Sequence, residues 1–573
     1  MLKEMNLSGV YGLKEKQKEV LINVLERKIR QKESTESKWK LLVFDKFCSE
    51  LIENHFVVSD LRKNGVTMIL NIENQRQKID DVDAIYIIQP TKKNIEIICK
   101  DIQNELYESF SLCFSNELSQ KQMKYLAKET VQLKKVYKIK DVINGCFNFQ
   151  VPEYNLINFN MEHSYSLFNN PTISDEMGMK LINYIVDSLF TIIYTMKEIP
   201  IIRTRSSSTE QVIGEKLVKK IREFMKKEEH YFIEKKERTL FIISNRNYDL
   251  SQGLMHGWSY QSLIKETQKM NGMKVCLNDT TEYIDSDGDI WTQCKEGIIS
   301  DVADTIIEKT KQLEQIKYMI QQENNRLFNN GNIQINEGLY TMSKKLEHEI
   351  DLHTTIAQAV LKSIQERSID LLFSYEDNIM SHIKIEKTAL LELIKKLDNK
   401  EDIIRLYYVC LLNNFPVDEI NQLMAEKQID LKELKYIEHL KQMQEYLHVS
   451  KKNNEKSFSV TGMVGTMLGK VAKLLPSDKK VAATIVVDTL SNAKGTDLEK
   501  EFDYFDPIKS EKSFIPEKRY KHTDVILFML GGGNYMEYTN ISQFAKKSNK
   551  RIVYATTEML NGTELLHQIS RIA

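Results

Sequence analysis

The strongest constraint on the fold is an interruption in an otherwise regular pattern. Short, continuous apolar runs predict strands over 41–44, 66–70 and 84–88, separated by helical patterns over 47–52 and 94–106. A second set follows, with helices over 179–196 and 215–225 and strands over 199–202 and 240–243. Runs of this kind read as strands buried on both faces, in parallel sheets covered by helices. From about residue 259 to Pro507 the alternation stops. Nearly all the periodicity there is helical, proline occurs only at 416, 476 and 507, and Leu346, Ile350, Ala357, Val360 and Ile364 hold one face. Strands then return over 525–530 and 552–554. Two strands before the block are too few for a sheet of ordinary size, so the last two are expected to rejoin them. The expected fold is α/β plus α. A first α/β domain spans 1–150, a discontinuous second one spans 151–265 and 515–573, and a helical insertion spans 266–514. Within the first domain, an amphipathic helix over 13–30 precedes the first strand.

A chain of 573 residues is too long for one core. Its 42% hydrophobic and 28% charged residues are those of a soluble globular protein, and a net charge of -1 gives no global attraction to nucleic acid or anionic lipid. The seven scattered cysteines, with no CxxC pair, fit reduced thiols better than a disulfide framework or a zinc site. The apolar window over 181–202 is broken by Asn183, Asp187, Lys197, Glu198 and Pro200, which marks a helix and a strand rather than a membrane span. The first six residues lack the apolar core of a signal peptide, so a soluble intracellular protein is expected.

The most enzyme-like stretch is the strand over 525–530 with Gly531, Gly532, Gly533, Asn534 and Tyr535 behind it. A glycine turn of this kind lets backbone amides approach a phosphate. It lacks the Lys-Ser/Thr pair of a P-loop and the spacing of a dinucleotide fingerprint, and Glu537 would set a carboxylate in the first turn of the next helix. The structural reading is therefore preferred, and an α/β enzyme or nucleotide-binding protein using the Gly531–Gly533 turn stands as the alternative. Asp45, after the first strand, reads as a helix-entry carboxylate, and Ser244-Asn245-Arg246-Asn247 as a capped turn rather than a nucleophile elbow. His348 and His353, five apart, do not share a helical face as metal ligands would. No catalytic residues, cofactor or metal site are expected.

One more segment stands out. Met463, Val464, Met467, Leu468, Val471, Leu474 and Leu475 form an apolar stripe opposite Gly465, Gly469, Lys470 and Lys473. Internal glycines each cost about 1 kcal/mol of helix propensity, so such a short helix orders only against a surface, either the protein or a bilayer.

With these landmarks in order, the chain resembles the Sec/Munc family of vesicle-fusion regulators, in its Sly branch serving transport between endoplasmic reticulum and Golgi. The likeness lies in Trp39 through Cys48, Val58 through Thr67, Asp81 through Thr91, Leu474-Leu475-Pro476, Tyr504-Phe505-Asp506-Pro507 and Gly531 through Tyr538. One departure is Asn245-Arg246 where the family usually has Asp-Arg, which bears on a local cap or salt bridge. The resemblance implies an arch-shaped, non-enzymatic, cytoplasmic protein, peripheral at endoplasmic reticulum and Golgi membranes. It would bind a Golgi syntaxin-type Qa-SNARE and the assembled SNARE bundle and promote their assembly, with no role for nucleic acid. It further implies an apolar pocket for the SNARE's N-terminal peptide at Met123, Leu126, Ala127, Ile139 and Val142. It also implies a regulatory loop near 449–480, in which the segment Met463–Leu475 would either pack as a lid or make transient contact with a membrane.

Overall fold

The computed structural model describes residues 9–26, 39–277, 279–329, 337–452, 480–509 and 521–572. The Met463–Leu475 stripe lies outside them. Five strands make the first sheet: β1 (Lys40–Phe44), β2 (Val66–Asn71), β3 (Asp83–Ile88), β4 (Ser109–Phe114) and β5 (Ile139–Asn144). Their order is β2-β1-β3-β4-β5 and every pair is parallel. Helices therefore cover both faces, and β1 and β3 are buried through most of their length. Asp45 accepts hydrogen bonds from the backbone of Cys48 at 2.9 Å and of Gln89 at 2.7 Å, and from Asn94 at 2.9 Å. It is the helix-entry carboxylate that its position suggested, and it also ties two loops together.

The second sheet contains β6 (Gln150–Glu153), β7 (Leu156–Asn158), β8 (Ile201–Arg205) and β9 (Leu240–Asn245). A short antiparallel meander, β10 (Lys269–Asn271), β11 (Lys274–Leu277) and β12 (Thr280–Tyr283), opens the long helical stretch. Beyond that stretch β13 (Phe502–Phe505), β14 (Asp524–Leu530) and β15 (Arg551–Thr556) return to the second sheet. The order is β13-β8-β9-β14-β15-β7-β6, parallel in the middle and antiparallel at both edges.

β14 stands fourth of seven, and all its residues are buried. Its side chains alternate between two cores. Val525, Leu527 and Met529 join the one shared with the helical insertion, while Ile526, Phe528 and Leu530 join the one beneath helices Asp175–Met196 and Thr209–Lys227. A period of two on a strand covered on both sides explains why this segment is continuously apolar.

Some strands had no clear sequence signal. β4 is interrupted by Ser109 and Ser111, β5 alternates half-buried and exposed residues, and β13 is only four residues at an edge. The strand expected over 199–202 runs from Ile201 to Arg205, because Pro200 cannot donate to the ladder and buried Arg203 donates to the carbonyls of Glu499 and Phe502 with the Glu499 carboxylate 3.8 Å away. Among the described residues no helix is long and apolar enough to cross a membrane.

Candidate functional site

The crossover from β4 to β5 builds the surface that the sequence pointed to. Helix Gln120–Gln132 starts on a capping box, in which the Ser119 hydroxyl accepts from the Gln122 amide and the Gln122 side chain accepts from the Ser119 amide at 2.9 Å. Leu126 and Thr130 face inward, and Leu126 is only 2% exposed. Met123, Ala127 and Val131 follow at four-residue spacing along one flank and are exposed.

The edge strand completes the surface through a bulge. Phe110 pairs with Ile139, but Ser111 pairs with Asp141, so Lys140 is the extra residue. Without it Ile139 and Val142 would point to opposite faces. With it they stand opposite Phe110 and Leu112, which share one core, and so face the same side of the sheet. That is the side of helix 120–132, since Leu126 lies in that core too. Ile139 is half-buried and Val142 is 40% exposed.

Met123 and Ala127 on the helix and Ile139 and Val142 on the edge strand thus stand as apolar side chains at this edge of the sheet, while Leu126 lies in the core beneath. Val131, Val136 and Tyr137, each at least half exposed, extend the apolar surface at the helix end. Val131 and Tyr137 were not singled out from sequence, although the spacing 123, 127, 131 among lysines was a usable signal.

The glycine turn has a different use. Gly531 and Gly532 have φ values of 84° and 100°, which favour glycine. Their amides donate to Thr557 Oγ1 at 3.1 and 3.0 Å, and the Gly533 amide donates to the Glu558 carbonyl at 2.9 Å. All three amides that would cradle a phosphate are thus engaged within the protein. Asn534 caps the next helix, and Glu537 in its first turn is fully buried, paired with Arg246 and accepting from Tyr554 at 2.6 Å. Burial pushes the Glu537 carboxyl up, and the pull of Arg246 does not fully offset it. Asn245, in place of the usual Asp, still caps its turn by accepting from the Asn247 amide at 2.9 Å.

A second buried cluster had no sequence motif. His256 donates its backbone N–H to Glu376 at 2.7 Å, and its ring nitrogens lie 2.9 Å from Glu376 and 3.1 Å from Asp402. Arg367 holds Asp402 and Glu266, and Arg405 holds Glu266 at 2.6 Å through one nitrogen and 3.1 Å through another. Burial and Arg405 push the His256 imidazole down, but Glu376 and Asp402 outweigh them and leave its pKa raised. His256, Glu266 and Asp402 are close enough to share a metal ion. The two guanidiniums already stand where cations are needed, and a protonated His256 balances three carboxylates against three positive charges. The cluster is therefore an ionic clasp. It joins the turn after helix Leu250–Leu254 to helices Tyr260–Thr267, Ile369–Met380 and Lys400–Leu412.

A cleft of about 650 Å³ lies where the first sheet's helices meet the meander and helix Glu337–Arg367. Its walls carry both signs of charge, with Lys14, Lys18 and Lys345 facing Glu53, Asp285 and Glu349. His348 lines it. His353 is buried at its base, 3.0 Å from the Tyr260 hydroxyl, with burial pushing its pKa down to about 4.

The Sec1 family model matches residues 40–568. The chain belongs to the Sec1 family. Among Sec1-family proteins, the SEC1 family transport protein SLY1 of Arabidopsis thaliana is 27% identical, with 97% of this chain and 96% of that protein covered. The Sec1 family domain-containing protein 1 of Mus musculus is 26% identical over 93% of both chains. Among solved structures, Sly1p in complex with an N-terminal peptide of Sed5p superposes with a TM-score of 0.78 at 25% identity, covering 98% of each chain. These Sec1-family relatives agree with the motif resemblance to the Sly branch.

Proposed function

We propose that this chain is a SNARE-binding chaperone that promotes assembly of SNARE complexes for vesicle docking and fusion between endoplasmic reticulum and Golgi. The observation that carries the reading is the set of apolar side chains Met123, Ala127, Ile139 and Val142 at the edge of the first sheet, above buried Leu126, which we read as a groove for a peptide. Support comes from the similar Sly1p structure, whose bound partner is an N-terminal peptide of Sed5p. In this reading the groove takes the N-terminal peptide of a Golgi syntaxin-type Qa-SNARE. Burying one aromatic anchor of such a peptide supplies roughly 1.5–3 kcal/mol, enough to dominate a short-peptide contact.

The remaining assignments belong to the same proposal. Residues 1–150 present the groove, 151–265 with 515–573 form the central α/β domain, and 266–514 form the helical domain. The mixed-charge cleft between them receives SNARE helices, lowering the cost of ordering segments that are otherwise disordered. The protein acts by binding and not by catalysis, at the cytoplasmic surface of endoplasmic reticulum and Golgi membranes. The stripe Met463, Val464, Met467, Leu468, Val471, Leu474 and Leu475 serves as a regulatory element with membrane affinity.

Titration of the full chain with a fluorescent syntaxin N-terminal peptide, and separately with ATP and NAD, tests the reading. The peptide is expected to bind, Ala127→Asp and Val142→Asp to weaken it at least tenfold, and both nucleotides to remain unbound. Silence toward the peptide together with nucleotide binding would overturn it.

A further inference from the structure

A cavity of about 310 Å³ opens beyond the carboxyl ends of β14, β15 and β7, three neighbouring strands of the second sheet. Asn158 ends β7, Tyr535 begins the helix that follows β14, and Glu558, Met559 and Leu560 come after β15. Helix Tyr260–Thr267 and β10 contribute Lys265 and Met270 to its wall, and helix Gly562–Ser570 contributes Glu564. Open α/β sheets bind ligands at this end of their strands, and roughly 300–1,000 Å³ is the usual size of a small-molecule site.

Each carboxylate in the wall is already committed. Glu558 accepts from the Ser164 amide at 2.6 Å and hydroxyl at 2.7 Å, from the His163 amide at 3.2 Å and from Gln568 at 2.9 Å. Glu564 accepts from Lys265 at 2.7 Å and from the Asn561 amide at 2.9 Å, and Glu162 pairs with Lys46. The groups with capacity to spare are donors. Lys265, only 8% exposed, uses two of its three ammonium protons, one on Glu564 and one on the Met270 carbonyl at 3.1 Å. Tyr535 is 3% exposed, and its hydroxyl has no hydrogen-bond partner among the described residues. Arg571 and the His163 ring are exposed at the rim and have no ion-pair partner among the described residues. Tyr535 is also the first residue of helix Tyr535–Ser548, which sets the positive end of that helix dipole beside the cavity.

We propose that this cavity binds a small molecule carrying one carboxylate on an apolar body. The carboxylate takes the spare protons of Lys265 and Tyr535, with Arg571 and His163 at the rim, and the body lies against Met270, Met559 and Leu560. Glu558 and Glu564 stand in the same wall and repel a second negative charge, so a single carboxylate fits better than a phosphate dianion. The bound molecule would touch helix Tyr260–Thr267 on one side and the chain after β15 on the other, and so bridge the start of the helical insertion to the second sheet. The site is separate from the peptide surface of the first sheet and does not depend on its reading.

Octanoate, 1-octanol and octyl phosphate share one apolar body and differ in the charge of the head group. Each is titrated into the full chain labelled at its methionine methyl groups and followed by NMR, with the Met270 and Met559 signals identified through Met270→Leu and Met559→Leu. Octanoate should shift both signals and bind about tenfold more tightly than 1-octanol, the worth of one hydrogen bond to a charged group, with octyl phosphate weaker than octanoate. Tyr535→Phe removes an unpartnered hydroxyl and keeps the ring, and Arg571→Gln changes an exposed side chain. Each should weaken octanoate by several-fold while leaving the melting temperature and the affinity for 1-octanol unchanged. Equal binding of octanoate and 1-octanol, or octanoate affinity unchanged in both variants, would overturn the carboxylate assignment. Tighter binding of octyl phosphate would overturn the charge argument. Shifts confined to other methionines, or no binding by any of the three, would remove the site altogether.

Discussion

Arg405→Met is the most demanding test of how the helical insertion is held to the second sheet. The guanidinium is fully buried and makes four hydrogen bonds, two to Glu266, one to the Leu254 carbonyl at 2.8 Å and one to the Thr563 hydroxyl at 3.2 Å. Removing one partner of a buried ion pair costs about 3–5 kcal/mol, because the other charge is left in a poor solvent. Glu266 keeps Arg367 at 2.7 Å, which places the charge loss at the lower end of that range. The buried Leu254 carbonyl loses its partner, which adds about 1 kcal/mol. The expected loss is about 4 kcal/mol, close to a thousandfold in the local unfolding equilibrium.

Trp258 reports on this region, because it stacks on Phe373 of helix Ile369–Met380 with ring centroids 5.6 Å apart. Urea unfolding followed by tryptophan fluorescence should show the Trp258 transition at lower urea, while peptide binding at the groove persists. A chain of several cores need not unfold in one step, so this transition is fitted by itself. A loss below about 1 kcal/mol would refute the argument and show that packing carries this junction.

Three further outcomes follow from the same physics. The folded-state pKa of His256 is raised, so its stabilising contribution is complete below the ordinary imidazole pKa and fades as pH rises through the folded value. His256→Gln should cost about 3 kcal/mol at pH 6 and flatten this pH dependence in denaturant titrations. Gly532→Ala sets a Cβ at φ of 100° and 2.5 Å from Leu560 Cδ1, and should lower stability by about 2 kcal/mol without changing peptide affinity, read by thermal melting and anisotropy. Met467→Asp/Leu468→Asp breaks the apolar stripe near the middle of 449–480 and should abolish flotation with liposomes, whereas unchanged flotation would dismiss membrane contact by that segment.

By itself the sequence determined the alternation of buried strands and helices, the helical interruption and the return of the chain to its second sheet. Those features follow from periodicity, because β14 is covered on both faces and must be continuously apolar. It also carried enough family motifs to point to the groove residues. Tertiary structure decided what each residue does. The residue-by-residue pattern does not separate Leu126 in the core from Ala127 on the surface, since the difference is the rotation of one helix against one sheet. A bulge at Lys140, invisible in the sequence, brings Ile139 and Val142 to the same face. The clasp of His256, Glu266, Arg367, Glu376, Asp402 and Arg405 joins residues far apart in the chain, and no spacing rule links such groups. The glycine turn shows the same limit: its amides, free for a phosphate as far as local pattern goes, are occupied by Thr557 and Glu558 from the loop that follows β15. Local pattern is set by periodicity along the chain, but the partner of a buried polar group is chosen by whatever the fold brings beside it.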